Sequence, residues 1–143
     1  LFESIREGAI QGASDHTDAL SLDPSLMQEA QLVAKHDPTF IRRAVSNLVR
    51  NAVEEGASKV TVWCDINPIS IHVQDDGPGI PDYKVAALFE GRLKTGKTQG
   101  SGIGFPTVLR LIEAHNGRIL LERSGDRRGA HFKIDLSSLE MCL

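Results

Sequence analysis

Length, composition and charge are typical of one globular domain. The chain has 143 residues, of which 41% are hydrophobic, and a formal net charge of -3 at pH 7. This length supports one hydrophobic core rather than two, and the negative charge argues against a general nucleic-acid-binding surface. Cys64 and Cys142 lack metal-ligand spacing, which fits a reducing compartment.

The location of the chain is predicted from its ends and its apolar runs. No apolar run reaches the length of a membrane span, and the N-terminus does not resemble a signal peptide. We therefore expect a cytoplasmic domain. Because the sequence does not begin with Met, we also expect residues 1–143 to be a single domain from a longer protein, in which a membrane anchor elsewhere stays open.

The first half of the chain alternates between helical and strand patterns. Apolar residues recur at helical spacing after Asp37 and alternate with polar residues after Lys59. The predicted elements are a helix over 1–11, an irregular connection over 12–25, a short strand over 29–35, a helix from 37–38 to about Glu55 that is closed by Gly56, and strands over 59–65 and 69–73 joined at Asn67–Pro68.

The second half predicts further helices and a second hairpin. Its elements are a helix over 82–89, a mobile loop over 91–101, a helix over 105–115 that ends at Asn116–Gly117, and strands over about 118–123 and 130–136. Strands with one apolar face and amphipathic helices predict a two-layer α/β sandwich, in which about three helices cover one face of a mixed sheet. His72 and His131 alternate with core positions in their strands, so we expect both to face solvent.

A glycine-rich stretch directly before the helix over 105–115 is typical of an anion site. Glycine allows close approach of the backbone to a ligand, and the first N–H groups of a helix carry partial positive charge that favours phosphate. The stretch consists of Gly100, Ser101, Gly102, Ile103 and Gly104. A simple tight turn is the alternative interpretation.

Two asparagines, Asn47 and Asn51, lie one turn apart on the predicted second helix, at the border of its apolar stripe. An amide oxygen is a suitable ligand for Mg²⁺, which takes few protein ligands and relies on phosphate and water for the rest. The alternative is that both residues merely flank the core. However, asparagine is a poor helix former, so two in one helix interior favour a functional reason.

A second glycine site follows the strand over 69–73. Asp75 comes directly after buried strand positions, and its carboxylate can only accept hydrogen bonds, which suits the exocyclic amine of adenine and repels the carbonyl of guanine. Gly77 and Gly79 let the chain turn and admit a flat ring beside the backbone. Ordinary turn chemistry at a hairpin exit is the alternative.

These pieces together resemble the N, G1, F and G2 boxes of the histidine-kinase ATP-binding domain, a member of the GHKL superfamily with the Bergerat fold. The resemblance extends from about residue 37 to 135. Its four motifs, in order, are Asn47-Leu-Val-Arg-Asn51-Ala-Val, Asp75-Asp-Gly77-Pro-Gly79-Ile80, Leu88-Phe89-Glu90 and Gly100-Ser-Gly102-Ile-Gly104.

The resemblance implies ATP and Mg²⁺ as cofactors and assigns roles to the motif residues. Asn51 would hold the metal, Asn47 would orient the metal and phosphate shell, and Asp75 would read adenine. A lid over 90–101 would cover the phosphates, with Lys97 neutralising charge. The resemblance places these further residues in the nucleotide pocket: Gly77, Gly79, Ile80, Phe89, Gly100, Ser101, Gly102, Ile103 and Gly104.

The sequence departs from the family pattern at three places. Arg92 stands where a second aromatic is frequent in the F box, and Glu54 stands where many kinases have a basic residue. The resulting Asn-Ala-x-Glu pattern resembles that of the nitrogen-regulatory type of sensor kinase. Phe105 and Pro106 replace small or aliphatic residues after the last glycine. Because proline is tolerated in the first turn of a helix, we expect the phosphate site to survive.

Several activities remain open at this stage. ATP-hydrolysing relatives, such as gyrase or chaperone ATPases, carry a glutamate one turn before the metal asparagine, whereas this chain has Asn47 there. A carboxamide is no general base, which favours phosphoryl transfer to a docked acceptor over hydrolysis. A serine kinase of the anti-sigma-factor type, which usually keeps that glutamate, and a non-catalytic nucleotide-binding module are further alternatives.

No phospho-accepting histidine with the family's motif occurs in this sequence. Neither His16 nor His36 is followed by the Glu/Asp-x-Arg-x-Pro pattern. The resemblance therefore implies a histidine-bearing dimerisation domain, in the same full-length protein, as the partner, and a response regulator downstream. We expect no nucleic-acid partner and a monomeric fragment.

Overall fold

A mixed sheet of five strands is the framework of the domain. The computed structural model describes residues 1–27, 33–34, 38–66, 68–80, 105–122, 129–137 and 141–142. The strands are β1 (Leu20–Leu22), β3 (Val60–Ile66), β4 (Ile69–Asp75), β5 (Arg118–Glu122) and β6 (His131–Asp135), while β2 (Val33–Ala34) and β7 (Met141–Cys142) form a separate antiparallel pair.

The strand order β1-β3-β4-β6-β5 places β4 in the centre of the sheet. The pair β1 and β3 is parallel, and the other neighbours are antiparallel. Val62 of β3 lies opposite Val73 of β4, which lies opposite Phe132 of β6. Since side chains alternate along a strand, this register gives one face of the sheet a continuous apolar surface.

Among the described residues, three α-helices accompany the sheet. They are α1 (Phe2–Ala13), α2 (Pro38–Glu54) and α3 (Phe105–Ala114), and 3₁₀ turns occupy Ser14–Ala19 and Pro24–Met27. The predicted two-layer α/β sandwich with a mixed sheet is confirmed. Within the described ranges, none of the helices combines the length and the apolar character that crossing a membrane requires.

The hydrophobic core contains residues from all three helices and from the sheet. Its most deeply buried side chains include Ile5, Phe40, Ile41, Val45, Val49, Ile71, Phe105, Ile112 and Ile134. Cys64 of β3 lies in this core as a free thiol, where burial raises its pKa to about 12. A thiol with so high a pKa stays protonated at neutral pH and contributes packing rather than reactivity.

The structure contains strands that the sequence did not predict. Residues 12–25 were expected to be irregular, but Leu20–Leu22 form β1, an edge strand parallel to β3. A three-residue strand is too short to produce a recognisable alternation, which is why the pattern missed it. The strand β7 was likewise not predicted. The expected helix over 82–89 and the expected loop over 91–101 lie outside the described residues.

The helices α1 and α2 approach each other closely enough that only glycine fits on α1 at the crossing. A Cβ atom added to Gly12 would lie 2.3 Å from the backbone carbonyl oxygen of Ser46, and one added to Gly8 would lie 2.8 Å from that of Arg42. One ion pair, between Glu7 and Arg42 at 3.0 Å, closes the exposed side of this contact. Close backbone contacts at the two glycines therefore determine how α1 packs against α2.

We predict that Gly12→Ala lowers the free energy of unfolding by about 2–3 kcal/mol, because the new methyl group forces the two helices apart. Helix propensity alone predicts the opposite, a gain of about 1 kcal/mol. Urea unfolding measures the difference, and Gln11→Ala, at the exposed neighbouring position, serves as the control with a change within about 0.5 kcal/mol. Unchanged or increased stability of Gly12→Ala would contradict this account of the crossing.

Candidate functional site

Two of the predicted polar sites lie on segments that approach each other, where the end of α2 comes close to the end of β4. Gly77 lies against Ala57, in the segment that follows α2. A Cβ atom added to Gly77 would be 3.7 Å from the Cβ atom of Ala57. Glu55 is close enough to Asp75 to act on its ionisation. The fold thus brings the C-terminal end of the asparagine helix and the Asp75 segment, which are separate in sequence, together at one end of the central strand β4.

Backbone N–H groups from two directions hold the Asp75 carboxylate. The N–H of Gly77 donates to Asp75 Oδ1 at 2.8 Å, and the N–H of Ala130 donates to the same oxygen at 3.3 Å. Both bonds that the described residues make to this carboxylate end on Oδ1. Among these residues, Oδ2 is therefore the oxygen left to accept a bond from a ligand. The two donors fix the orientation of the carboxylate before any ligand arrives.

The Asp75 carboxyl is half-buried, and its surroundings act on its charge in opposite directions. Burial raises the pKa of Asp75, the N–H groups of Gly77 and Ala130 lower it, and the nearby carboxylates of Asp76 and Glu55 raise it; the net shift is upward. A carboxylate with too little compensation for its burial gains most from an additional hydrogen-bond donor. Asp75 is therefore suited to bind a ligand that supplies an N–H group.

Gly129 makes the contact between Ala130 and Asp75 possible. It has φ +99°, and a Cβ atom there would lie 1.9 Å from the backbone carbonyl oxygen of Asp75. The Asp75 N–H donates to the Ala130 carbonyl at 2.9 Å, so the chain segments exchange bonds in both directions. Any side chain at 129 would separate these segments. Sequence reasoning treated this glycine as part of a turn, and its place directly before a strand was the signal it missed.

Asp76, the neighbour of Asp75, has a different role, which is structural. Its carboxylate accepts from the Ser58 hydroxyl at 2.6 Å and from the backbone N–H groups of Ser58 and Lys59 at 2.8 and 2.9 Å. These bonds, the Ser58 hydroxyl foremost, lower the pKa of Asp76. The side chain ties the start of β3 to the glycine segment. Sequence patterns alone did not separate the roles of the two aspartates.

Asn47 lies deeper than its predicted position at the border of the apolar stripe. Its side chain is 2% exposed, and its Oδ1 atom has no hydrogen-bond partner among the described residues. The prediction was wrong because α2 packs against α1 and α3 as well as the sheet, which widens its buried face. A buried amide oxygen without a partner costs about 1–3 kcal/mol, which a ligand donor, a water or a cation would relieve.

Asn51 lies one turn further along α2 and is half-exposed, as its border position predicted. It lies one turn before Glu55, whose charge acts on Asp75. A buried amide oxygen at 47 and an accessible amide at 51 are the neutral oxygen donors that Mg²⁺ accepts alongside phosphate and water. The residues present therefore fit a magnesium ion held with a nucleotide.

The helix that follows the glycine-rich stretch over 100–104 forms as expected. α3 begins at Phe105 and continues through Pro106, so proline in the first turn does not interrupt it. The Phe105 side chain is 2% exposed and its ring lies 5.4 Å from that of Phe132, between ring centroids. This contact anchors the N-terminal end of α3 in the core.

The other predicted site residues divide into placed and undescribed groups. Gly79 lies beside Gly129, with 3.0 Å from its added Cβ position to the Gly129 carbonyl oxygen, and Ile80 packs against the core. The predicted lid over 90–101 lies outside the described residues, as do Phe89, Lys97, Gly100, Ser101, Gly102, Ile103 and Gly104.

One prediction about the strand histidines is wrong. His72 was expected to face solvent but is 7% exposed, and His131 is half-buried. Both lie on the sheet face opposite the apolar one. There the Trp63 ring stacks on the His72 ring at 4.7 Å between centroids and covers it. Alternation identified the face correctly, but it does not reveal that neighbouring rings cover a side chain on that face.

The fold and this site define an ATPase-type nucleotide-binding domain, and comparison with known families agrees. Residues 36–139 match the family described as histidine kinase-, DNA gyrase B-, and HSP90-like ATPase. The match covers most of the chain, so the chain belongs to this family. The resemblance to the GHKL superfamily is thereby confirmed.

A histidine-protein kinase and a sensor protein are among the similar curated proteins. The chain is 32% identical over 125 residues to the signal transduction histidine-protein kinase AfsQ2 of Streptomyces coelicolor, covering 83% of this chain and 22% of that protein. It is 31% identical over 104 residues to the sensor protein BasS of Salmonella typhimurium, covering 70% of this chain and 29% of that protein. The chain thus spans less than a third of the length of these relatives.

Solved structures of histidine kinases have the same fold. The NMR structure of the histidine kinase domain of the E. coli osmosensor EnvZ superposes with a TM-score of 0.66 at 28% identity, covering 93% of this chain and 83% of that one. The catalytic domain of histidine kinase ThkA, in a nucleotide-free form, superposes with a TM-score of 0.68 at 27% identity, covering 94% and 90%.

We predict that Asp75→Asn weakens ATP binding by about 1.5–3 kcal/mol, the range of a hydrogen bond to a charged group. In the variant, the amide oxygen is expected to accept from Gly77 and Ala130, which turns the NH₂ group toward the adenine amine, donor against donor. Calorimetric titration with ATP measures the loss. Asp76→Asn is the matched control, since its oxygen still accepts from Ser58 and Lys59, and it should bind ATP nearly as the unaltered protein does. Equal affinities for Asp75→Asn and the unaltered protein would remove Asp75 from the pocket.

Proposed function

We propose that this domain binds Mg-ATP and donates the γ-phosphoryl group to a histidine on a partner domain, as part of two-component signal transduction. The observation that carries the proposal is the Asp75 carboxylate, which two backbone N–H groups orient at the end of β4. It is supported by the buried Asn47 on α2, whose Oδ1 has no hydrogen-bond partner among the described residues. The named sensor kinases among the relatives support the same activity.

Adenine recognition is proposed to rest on Oδ2 of Asp75. With Oδ1 occupied by the N–H groups of Gly77 and Ala130, Oδ2 accepts from the 6-amino group of adenine. Guanine presents a carbonyl oxygen at that position, and two acceptors facing each other in a half-buried site repel. The pocket therefore selects ATP and ADP over GTP.

Asn51 is proposed to hold Mg²⁺, with Asn47 orienting the metal and phosphate shell. When bound, the metal supplies charge neutralisation for the phosphates. By the family resemblance, Lys97 and the stretch from Gly100 to Gly104 contact the phosphates, and the segment over 90–101 closes over them. The N-terminus of α3, anchored by Phe105, adds the partial positive charge of its first turn.

Transfer rather than hydrolysis is proposed because the position one turn before Asn51 is an asparagine. The Asn47 carboxamide cannot take a proton from water, so the site lacks the general base that hydrolysis needs there. An imidazole nitrogen of the acceptor, neutral and already nucleophilic, attacks the γ-phosphorus, and the bond to the bridging oxygen breaks to release ADP. Catalysis then consists of positioning and charge neutralisation.

The partners follow from the same proposal. The acceptor histidine lies on a dimerisation domain, in the same longer protein, and a response regulator receives the phosphoryl group next. Residues 1–143 are proposed to be the catalytic domain of that protein, and the other parts of that protein would determine whether it is anchored in a membrane.

We predict that the isolated domain binds ATP but releases phosphate far more slowly than the roughly 1 s⁻¹ typical of competent enzymes. Adding a histidine-bearing dimerisation domain should produce a phosphorylated product that is labile in acid, as phosphohistidine is. Radiolabelled γ-phosphate measures both reactions. Steady hydrolysis near 1 s⁻¹ by the domain alone would favour a conformational ATPase. ATP binding without transfer to any histidine domain would favour a non-catalytic module.

The same assay separates the roles of the two asparagines. Asn51→Ala should lose transfer and the Mg²⁺-dependent part of ATP affinity, while binding of ATP in EDTA stays near that of the unaltered protein. Asn47→Glu places a potential base one turn from Asn51 and should raise phosphate release modestly. Equal loss of binding with and without Mg²⁺ in Asn51→Ala, together with an altered circular dichroism spectrum, would indicate a folding defect instead.

A further inference from the structure

A cluster of two imidazoles and a carboxylate lies on the sheet face opposite the helices. His72 Nδ1 is 2.8 Å from His131 Nε2, and His72 Nε2 is 3.0 Å from Asp65 Oδ2 and 3.1 Å from Ser70 Oγ. The Trp63 ring is parallel to the His72 ring, with an angle of 3° between the planes. The proposed phosphoryl transfer uses none of these residues.

Hydrogen-bond chemistry fixes where the protons lie when both imidazoles are neutral. The Asp65 carboxylate only accepts, so His72 Nε2 carries a hydrogen and donates to it. His72 Nδ1 is then an acceptor, and His131 Nε2 must be the donor between the two rings. The chain of bonds runs in one direction, from His131 through His72 to Asp65.

This chain of hydrogen bonds can accept one added proton but not two. One proton leaves one ring a donor and the other an acceptor, with Asp65 as counter-charge. A second proton places N–H groups on both sides of a 2.8 Å contact, and two positive rings then face each other. Both rings cannot be charged unless they separate.

The remaining charges around His72 do not remove this limit. Burial, first, and the Lys133 cation of β6 lower the pKa of His72, while Asp65 of β3 and Glu122 of β5 raise it; the net shift is downward. A lowered pKa means that, at a pH in the usual histidine range, the unfolded chain binds more protons than the folded one. The contribution of neutral His72 to the free energy of unfolding is therefore fully present above the usual histidine range and is lost as the pH falls through about 6.5.

The two rings also bridge the strands that hold Asp75. In the β4–β6 pair, Gln74 lies opposite His131, and the next bond along links Asp75 with Ala130. His131 follows Ala130 directly in sequence, and His72 lies three residues before Asp75. Separation of the rings therefore loosens β4 from β6 next to the proposed adenine contact.

We propose that His72, His131 and Asp65 form a proton-binding site. With at most one added proton, the hydrogen bond between the two rings links β4 to β6, and with both imidazoles charged this bond is lost and the strands separate. The effect on ATP rests on the proposed function. The proton site itself does not. Acidification thus weakens the adenine end of the pocket through the opposite face of the sheet.

Trp63, the only tryptophan in the chain, is a built-in probe because a protonated imidazole stacked on an indole quenches its fluorescence. We expect fluorescence of the full chain, titrated from pH 8 to pH 5, to fall over more than two pH units. In His131→Gln, the amide can accept from a protonated His72, so the fall should become one step with its midpoint at least 0.5 pH units higher. An unchanged midpoint would overturn the proposal.

His115→Gln is the matched control, because His115 stacks on Phe40 at 4.0 Å, outside the cluster, and should leave the curve as it is. If His131→Gln fails to fold by circular dichroism, the imidazole resonances of the unaltered protein decide. Two coupled, separated steps support the pair, and two independent titrations near pH 6.5 overturn it.

The thermal midpoint and ATP affinity test the consequence. Between pH 7 and pH 5.5 the midpoint should fall by about 4 °C in the unaltered protein and by less than half of that in His131→Gln. ATP affinity should fall about threefold more in the unaltered protein than in His131→Gln. Equal falls in ATP affinity would overturn the link to the pocket. Absence of ATP binding at any pH would refute the proposed function, while the fluorescence titration would still decide the proton site.

Discussion

The exchange of hydrogen bonds between the end of β4 and the start of β6 is the constraint on which the candidate site depends. The Asp75 N–H donates to the Ala130 carbonyl, and the Ala130 N–H donates back to the Asp75 side chain. The approach is so close that position 129 has room for no side chain. Through these bonds the central strand of the sheet sets the direction of the carboxylate. The fold therefore determines both where the polar group lies and which of its oxygens a ligand meets.

Packing of the helices explains the other half of the site. Because α1 seats against α2 through backbone contacts at Gly8 and Gly12, α2 is enclosed on more sides than its apolar stripe requires. Asn47 is consequently buried with an oxygen that lacks a partner among the described residues. A stability-driven sequence would place an apolar residue there. In the proposed function this amide orients the metal and phosphate shell, and polar groups without a protein partner are common at binding sites.

How much of this was predictable depends on whether a feature is local. The helix Pro38–Glu54 and the strands β3 and β4 followed from periodicity, as did the partly exposed position of Asn51 and the place of Asp75 at the end of a buried strand. The roles of these two residues toward a nucleotide stay predictions. Three features did not follow. The burial of Asn47 depends on two neighbouring helices, and β1 exists because β3 offers it an edge.

The third feature, the enclosure of His72, depends on Trp63, which comes from the neighbouring strand. Each of these features is a tertiary effect, which no local pattern contains. The different roles of Asp75 and Asp76 belong to the same class, since they are set by Ala130 in one case and Ser58 in the other.

The most direct measurement of the central claim is a comparison of nucleotides that differ in the substituent at position 6 of the purine. Inosine triphosphate replaces the amino group of ATP with a carbonyl, which also places a hydrogen on the neighbouring N1, and leaves the sugar, the phosphates and the metal unchanged. If Oδ2 of Asp75 reads that amino group, calorimetry on the unaltered protein should give an affinity for ATP at least tenfold above that for inosine triphosphate, in keeping with a charged hydrogen bond lost and a repulsion gained. Equal affinities for the two nucleotides would contradict the account.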